Sequence, residues 1–317
     1  MDVVTEVLRV SNFRGVLGAR IEAGSSWQVS VQEYPGMAMH AVLAGNAWLT
    51  TGDRTPLHLA TGDVVMTPAR VPHHITDRPE DDTGEPTVFP PDGARRALTV
   101  GAGPTLTRIL TVFYDCDHAT RTQVVDEMSG FIHIVGGEGG AAYLDDIVTL
   151  LGRELDQPQL ATTAVIDGLI DIVLICMVRA WIALRPSGRR GTWLGWADDP
   201  VVEKAVTLIH RDPAFDWTTS SLAAATSVSR ATLSRRFAAA MGLSPADYIA
   251  QWRMDVAAVR LRDTSDSVEK VAAAVGYRSV PSFTRAFARD RGRTPGAYRS
   301  HAVESRATPR SIRTRYH

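Results

Sequence analysis

The sequence predicts an α+β chain of two unlike halves: an N-terminal β-barrel or double-sheet jelly roll with appended helices, then a C-terminal all-α half. Three observations carry this. Short apolar stretches punctuated by Gly, Pro and Asp crowd residues 1 to 135. From residue 140 onward the apolar residues recur at helical spacing. A helix–turn–helix pattern near residue 222 is repeated about fifty residues later.

The strands come first. Trp27–Val31, Met37–Leu43, Ala47–Thr51, Leu57–Leu59 and Val64–Thr67 are short and apolar. Alternation in Trp27-Gln28-Val29-Ser30-Val31 gives one buried and one exposed face. Further strands are expected at Ala97–Val100 and Leu106–Phe113. Arg78 to Arg96, rich in Pro, Asp and Gly, is expected to be a mobile loop. Closely spaced short strands of this kind close into barrels or jelly rolls.

Two apolar helices follow. Tyr143, Ile147, Leu150, Leu151 and Leu155 share one helical face, and Val165, Leu169, Ile172, Val173 and Cys176 share another, with a break near Pro158. They serve either as a dimer seam or as packing within the domain. Pro186 to Pro200 reads as a linker. Beyond it, seven helices are expected, separated at Pro213, Ser227, Gly242, Thr264, Gly276 and Gly292. The expected domains are therefore residues 1–185, a linker 186–200, a helical domain 201–300 and a disordered tail 301–317 with four arginines.

Composition excludes several classes. A 317-residue chain with 44% hydrophobic and 22% charged residues folds rather than staying disordered. Two cysteines make no disulfide scaffold and fit a reducing compartment. The start, MDVVTEVLRV, has no basic n-region or long apolar h-region of a signal peptide. The most apolar stretch, Val165–Leu184, carries Asp167, Asp171 and Arg179, too many charges for a membrane span. A soluble, cytoplasmic chain is expected.

The net charge of -1 conceals a division. Residues 200–317 hold 19 Lys and Arg against 10 Asp and Glu, a net of +9, which leaves -10 for residues 1–199. A basic half beside an acidic one suggests that only the former meets a polyanion. A basic half can also be a solvated surface, so the motifs decide.

The repeat aligns Leu222-Ala-Ala-Ala-Thr-Ser with Val271-Ala-Ala-Ala-Val-Gly, and Leu233-Ser-Arg-Arg-Phe237 with Phe283-Thr-Arg-Ala-Phe287. Each copy is followed by Gly-x-x-Pro, at Gly242–Pro245 and Gly292–Pro295. Small residues let the two helices of a motif cross closely, and Ser229 and Ser279 are expected N-caps. Leu233 and Phe237, like Phe283 and Phe287, share a buried face, which leaves Ser234, Arg235, Thr284 and Arg285 pointing outward. A helix–turn–helix enters the major groove with such outward residues. Between the copies, Pro245–Arg262 reads as one long connecting helix.

The paired motifs resemble the DNA-binding domain of AraC/XylS-type transcriptional regulators. The resemblance rests on Val268–Tyr277, Ser282–Phe287 and Arg293–Tyr298 and covers about 100 residues. It implies base-facing positions at Ala231, Ser234 and Arg235 in the first motif and at Val280, Pro281, Thr284 and Arg285 in the second. Arg235 and Arg285 are the candidates for guanine contacts. Arg230, Arg236, Arg278 and Arg289 are the candidates for phosphate contacts. The resemblance also implies double-stranded DNA as partner, contact with RNA polymerase, a homodimer, and a small-molecule effector or redox signal.

The N-terminal half is similar to a cupin sensor domain through Met39–Leu49 and Gly62–His73. That similarity points to His40 and His73, with His74, as effector-binding residues, and Cys116 as a further ligand or redox-sensitive thiol. Metal ligation, organic-effector contact and plain packing all remain open for the histidines, because the cupin His-x-His-plus-Glu set is missing after Gly36. The alternative reading is a metal-dependent cupin enzyme, a dioxygenase or isomerase, fused to a DNA-binding tail.

Overall fold

The computed structural model describes residues 3–11, 13–52, 54–79, 86–89, 96–115, 128, 130–137, 142–184 and 191–307. The chain divides into a β-rich unit, which takes in Arg14–Asp115 and Met128–Pro186, and a helical unit, which takes in Ser187–Pro309.

The β-rich unit contains β1 (Arg14–Ser25), β2 (Gln28–Val31), β3 (Met37–Ala44), β4 (Asn46–Thr51), β5 (Arg54–Ala60), β6 (Val64–Thr67), β7 (His73–Thr76), β8 (Thr87–Val88), β9 (Arg96–Val100), β10 (Ala102–Asp115) and β11 (Ile132–Ile134). They form a six-stranded sheet in the order β11-β6-β3-β10-β1-β9 and a five-stranded sheet in the order β5-β4-β7-β2-β8. The inner faces meet in one apolar cluster that includes Ile21, Trp27, Val29, Val42, Leu49, Val65, Ile75, Ile109 and Phe113. Residues two apart on a strand share a face. His40 therefore points inward with Ala38 and Val42, and Thr111 does so with Ile109 and Phe113.

Helices α2 (Ala142–Asp156) and α3 (Thr162–Ala183) cover the other face of the six-stranded sheet, α2 on β3 and α3 on β1. Tyr114 on β10 donates its hydroxyl proton to the Ile170 carbonyl at 2.9 Å. A Cβ at Gly15 would stand 2.1 Å from the Ile170 side chain, so α3 lies as close to β1 as glycine permits. Leu144, Val148, Ile166, Val173 and Met177 fill this second core.

The segment expected to be a mobile loop contributes β8, which pairs parallel to β2, and Phe89, which is buried in the barrel. That corrects the loop expectation for residues 87–89. A buried aromatic anchored in a sheet is a core element whatever the composition around it.

The helical unit contains the seven expected helices: α4 (Pro200–Arg211), α5 (Thr219–Ala225), α6 (Arg230–Met241), α7 (Pro245–Asp263), α8 (Val268–Ala274), α9 (Val280–Arg291) and α10 (Pro295–Ala307). Two boundaries move. The expected linker ends in a 3-10 helix, Trp193–Asp198, packed on α4 and α6, and the expected tail begins as the last turns of α10. Residues 308–317 lie outside the described residues. A further helix, α1 (Val3–Ser11), packs on α4 and α7 through buried Val3, Val7 and Val10. Residues 1–13, expected within the sensor domain, thus cluster with the helical unit. Their apolar spacing is helical, but a nine-residue amphipathic helix gives no hint of its docking site.

Candidate nucleic-acid interface and the barrel histidines

Each motif is built from local signals. Thr218 and Ser221 form a reciprocal capping box at the start of α5. Ser229 accepts from the Thr232 N–H at 3.1 Å to open α6, and Ser279 accepts from the Ser282 N–H at 3.4 Å to open α9. Between the helices of each motif the backbone turns left-handed, at Ser227 with φ 60° and at Gly276 with φ 80°. Both second helices close on a left-handed glycine, Gly242 and Gly292. The duplication read from the sequence is thus a duplication of backbone conformation.

Packing then sorts the faces. Leu233, Phe237, Phe283 and Phe287 are fully buried. Ala231, Arg235, Pro281 and Arg285 are exposed, and Ser234, Val280 and Thr284 are half-buried, so every base-facing candidate keeps solvent access. Arg285 rests on the Ser282 hydroxyl at 3.4 Å. Arg230 and Arg289 are exposed as well.

Two phosphate candidates are engaged elsewhere. The Arg236 guanidinium donates from Nε to Asp199 Oδ2 at 2.7 Å. Asp199 also caps α4, accepting from the Val201 and Val202 N–H groups. Burial alone would raise the Asp199 carboxyl; Arg236 and the two backbone donors outweigh it and hold the group below the usual carboxylate range. Arg236 is therefore a clamp between α6 and α4, a pairing across 37 residues that sequence spacing does not reveal. Arg278 pairs with Asp216 at 3.1 Å, with both side chains largely exposed.

The connecting helix α7 is the spine against which helices of both motifs pack. At the first motif, His210 stacks on Trp252 with ring centroids 3.6 Å apart and bonds the Tyr248 hydroxyl at 2.8 Å; burial pulls its pKa down to about 3. At the second, Arg291 of α9 pairs with Asp255 of α7 inside the core. Burial pushes the Asp255 carboxyl up to about 6, with Arg291 pulling the other way.

In the barrel, His40 Nε2 and His73 Nε2 lie 2.8 Å apart. The outer nitrogens fix the protons. His73 Nδ1 faces the Val71 carbonyl at 2.9 Å, which only accepts, so Nδ1 carries hydrogen and Nε2 accepts. His40 then donates from Nε2 and accepts at Nδ1 from the Thr111 hydroxyl, 2.9 Å away. The chain Thr111–His40–His73–Val71 bridges the two sheets with every ring nitrogen satisfied and both rings neutral. Burial lowers the pKa of both, that of His73 to about 4.

The facing nitrogens of this pair are spent on one hydrogen bond. No group of three His, Cys, Asp or Glu side chains arranged for a metal occurs among the described residues. His74 neighbours His73 on β7 and points to the opposite face, so it leaves the pair. Cys116 lies outside the described residues. Cys176 is half-buried and burial raises its pKa, which keeps it a thiol. No described helix is long and apolar enough to cross a membrane.

Sequence reasoning missed Asp199, Thr111 and Asp255. Each acts through a partner far along the chain, and nothing local marks it.

Comparison with known proteins agrees with this anatomy. A cupin family model matches residues 2–183 and a helix-turn-helix domain model matches residues 222–301. An AraC-like transcription regulator of Streptomyces antibioticus is 33% identical over 96% of this chain and 100% of its own length. Another, of Streptomyces lividans, is 32% identical over 95% of this chain and 99% of its own. The solved DNA-binding domain of AdpA, in complex with a target DNA, is 30% identical and covers 34% of this chain and 96% of its own, with a TM-score of 0.33.

Proposed function

This chain belongs to the AraC-like transcription regulators with a cupin domain, and from that premise we propose that Arg235 and Arg285 read two sites on one face of a DNA duplex. The observation that carries the reading is their equivalence: both sit at the same position of a duplicated motif, exposed above a buried Leu or Phe pair. Ser234 and Thr284 offer hydroxyls beside them. Ala231, Val280 and Pro281 give apolar contacts of the kind that suit thymine methyl groups. Arg230 and Arg289, both exposed, serve phosphates, and Arg278 joins them on releasing Asp216.

The β-rich unit is the sensor. A ligand group gains the His40 and His73 nitrogens only by replacing the bond between them, which alters a tie between the two sheets. By linkage such an effector must favour one state of the protein over another. The enzyme reading is the weaker one, since the histidines that would anchor a metal hold each other. A homodimer through α3 is supported by Val165, Ile172 and Ile175, exposed at heptad-like spacing on its outer face. RNA polymerase contact and a cytoplasmic setting accompany regulation of transcription.

The test is a gel-shift titration on duplexes enriched from a random pool by the wild-type chain. Arg235→Ala and Arg285→Ala each lose about 10-fold or more, in line with about 1–3 kcal/mol for a bidentate base contact. Unchanged affinity and sequence preference in both variants would remove the assignment.

A further inference from the structure

Two recognition helices on one chain read one duplex only if their relative setting is held to within a fraction of a base pair. Successive major grooves lie about 34 Å apart, so an angular slack of about 10° displaces the far helix by about 6 Å, against about 3.4 Å for one base-pair step. The spine α7 is joined to each motif through a short turn, and its packing on either side does not by itself close the frame.

A second tie does. The loop between α4 and α5 leads straight into the first motif, and the turn between α8 and α9 belongs to the second. Arg253 of α7 stands between them. Its Nε donates to the Pro213 carbonyl at 2.9 Å and its Nη2 to the Phe215 carbonyl at 2.7 Å. The intervening carbonyl, that of Ala214, meets the turn itself: a Cβ on Gly276 would stand 2.8 Å from it and 2.9 Å from Arg253 Nη2. Two carbonyls of the first motif's approach loop are thus held by one guanidinium, and the carbonyl between them packs against the Gly276 turn. Beside them Arg278 pairs with Asp216, again joining the loop to the turn.

The loop is stiff enough to transmit this. Phe215 N–H donates to Asp212 Oδ1 at 3.1 Å, the Trp217 indole donates to the Asp212 carbonyl at 2.9 Å, and the Phe215 and Trp217 rings pack with centroids 4.3 Å apart. Thr218, the next residue, caps α5.

We propose that Arg253 is a positioning residue for DNA recognition: by fastening the loop of residues 213–215 to α7, where it packs against the Gly276 turn, it sets the spacing at which the two motifs accept their half-sites. It touches no base. The proposal rests on both motifs reading one duplex.

The experiment uses the full chain. Wild-type protein and Arg253→Ala are each passed through selection on random-sequence duplexes, and binding is then measured on the wild-type consensus and on versions with the two submotifs one base pair closer or farther. Wild type discriminates against the altered spacings by about 10-fold or more, as for a mismatched site. Arg253→Ala enriches the same two submotifs, but its spacing discrimination falls below about 3-fold. Arg253→Lys, which retains the charge but has one donor head, falls between. A purely structural role would lower the melting temperature and leave the spacing preference intact, and that result overturns the proposal. Should Arg253→Ala lose its helical signal, Arg253→Met, which keeps the apolar stem and removes the donors, takes its place with the same readout and the same criterion. Enrichment of only one submotif by wild type overturns the two-helix reading itself and this inference with it.

Discussion

Removing Arg291 is the perturbation whose cost follows most directly from the structure. Its guanidinium is 4% exposed and faces Asp255, which is 10% exposed, so the pair is shielded from water on both sides. Deleting one member of a buried pair leaves an uncompensated charge and costs about 3–5 kcal/mol, whereas replacing both by apolar groups is often neutral. The sign of the pH dependence follows from Asp255. Its folded pKa of about 6 lies above the ordinary 3.8, so its contribution to stability is full below the ordinary value and lost as pH rises through about 6. Without Arg291 the carboxyl is pushed further up, and Arg291→Met hurts most where Asp255 would have to ionise. Calorimetry at pH 5 and pH 8 reads this. For a unit of this size, with about 4 °C of melting temperature per kcal/mol, the helical unit's transition falls by about 12–20 °C at pH 8. The fall is distinctly smaller at pH 5, and Asp255→Leu/Arg291→Met recovers most of it. A double variant as unstable as the single, or a penalty that does not grow with pH, would refute the argument.

The barrel gives a prediction of opposite sign. His40 and His73 have depressed pKa values, so their contribution is full above about 6.5 and is lost as pH falls toward about 4. The slope is about 1.4 kcal/mol per pH unit for each histidine that must charge on unfolding, and His40→Leu/His73→Leu flattens the acid limb of the β-rich unit's melting curve; an unaltered limb contradicts the neutral bridge. In the first motif's turn, Ser227 holds a left-handed conformation that Gly276 holds in the second. Ser227→Gly relieves backbone strain, partly offset by glycine's greater freedom when unfolded, and raises stability by about 0.5–1 kcal/mol in urea titration. A loss of stability would show that the serine side chain matters more than its backbone.

The helical half was legible because its signals are local and occur twice. Ser229 and Ser279, Gly242 and Gly292, and the Leu/Phe and Phe/Phe pairs announce helix starts, stops and faces in adjacent residues, and the second copy vouches for the first. The β half was legible where strands alternate, as in β2, or form continuous apolar runs, as in β3 and β6, and obscure where they do neither. β1 was missed because Gly15, Gly18 and Gly24 dilute its apolar pattern, yet they are there because α3, Phe113 and Ala102 approach too closely for a Cβ. β7 reads as His-His-Ile-Thr, and only its position between β4 and β2 makes a strand of it. Ser234, Arg235, Thr284 and Arg285 follow from periodicity, whereas Ala231, Val280 and Pro281 rest on the family resemblance. Partners such as Asp199 for Arg236 and Thr111 for His40 are decided by tertiary contact, which a sequence pattern does not encode.

The most direct test of the central claim is a hydroxyl-radical footprint of the full chain on its enriched duplex, repeated with Arg235→Ala and Arg285→Ala. The account predicts two protected windows on one face of the helix, about one turn or 10–10.5 base pairs apart, each variant weakening a different window. A single window, or two windows that both variants weaken alike, would contradict it.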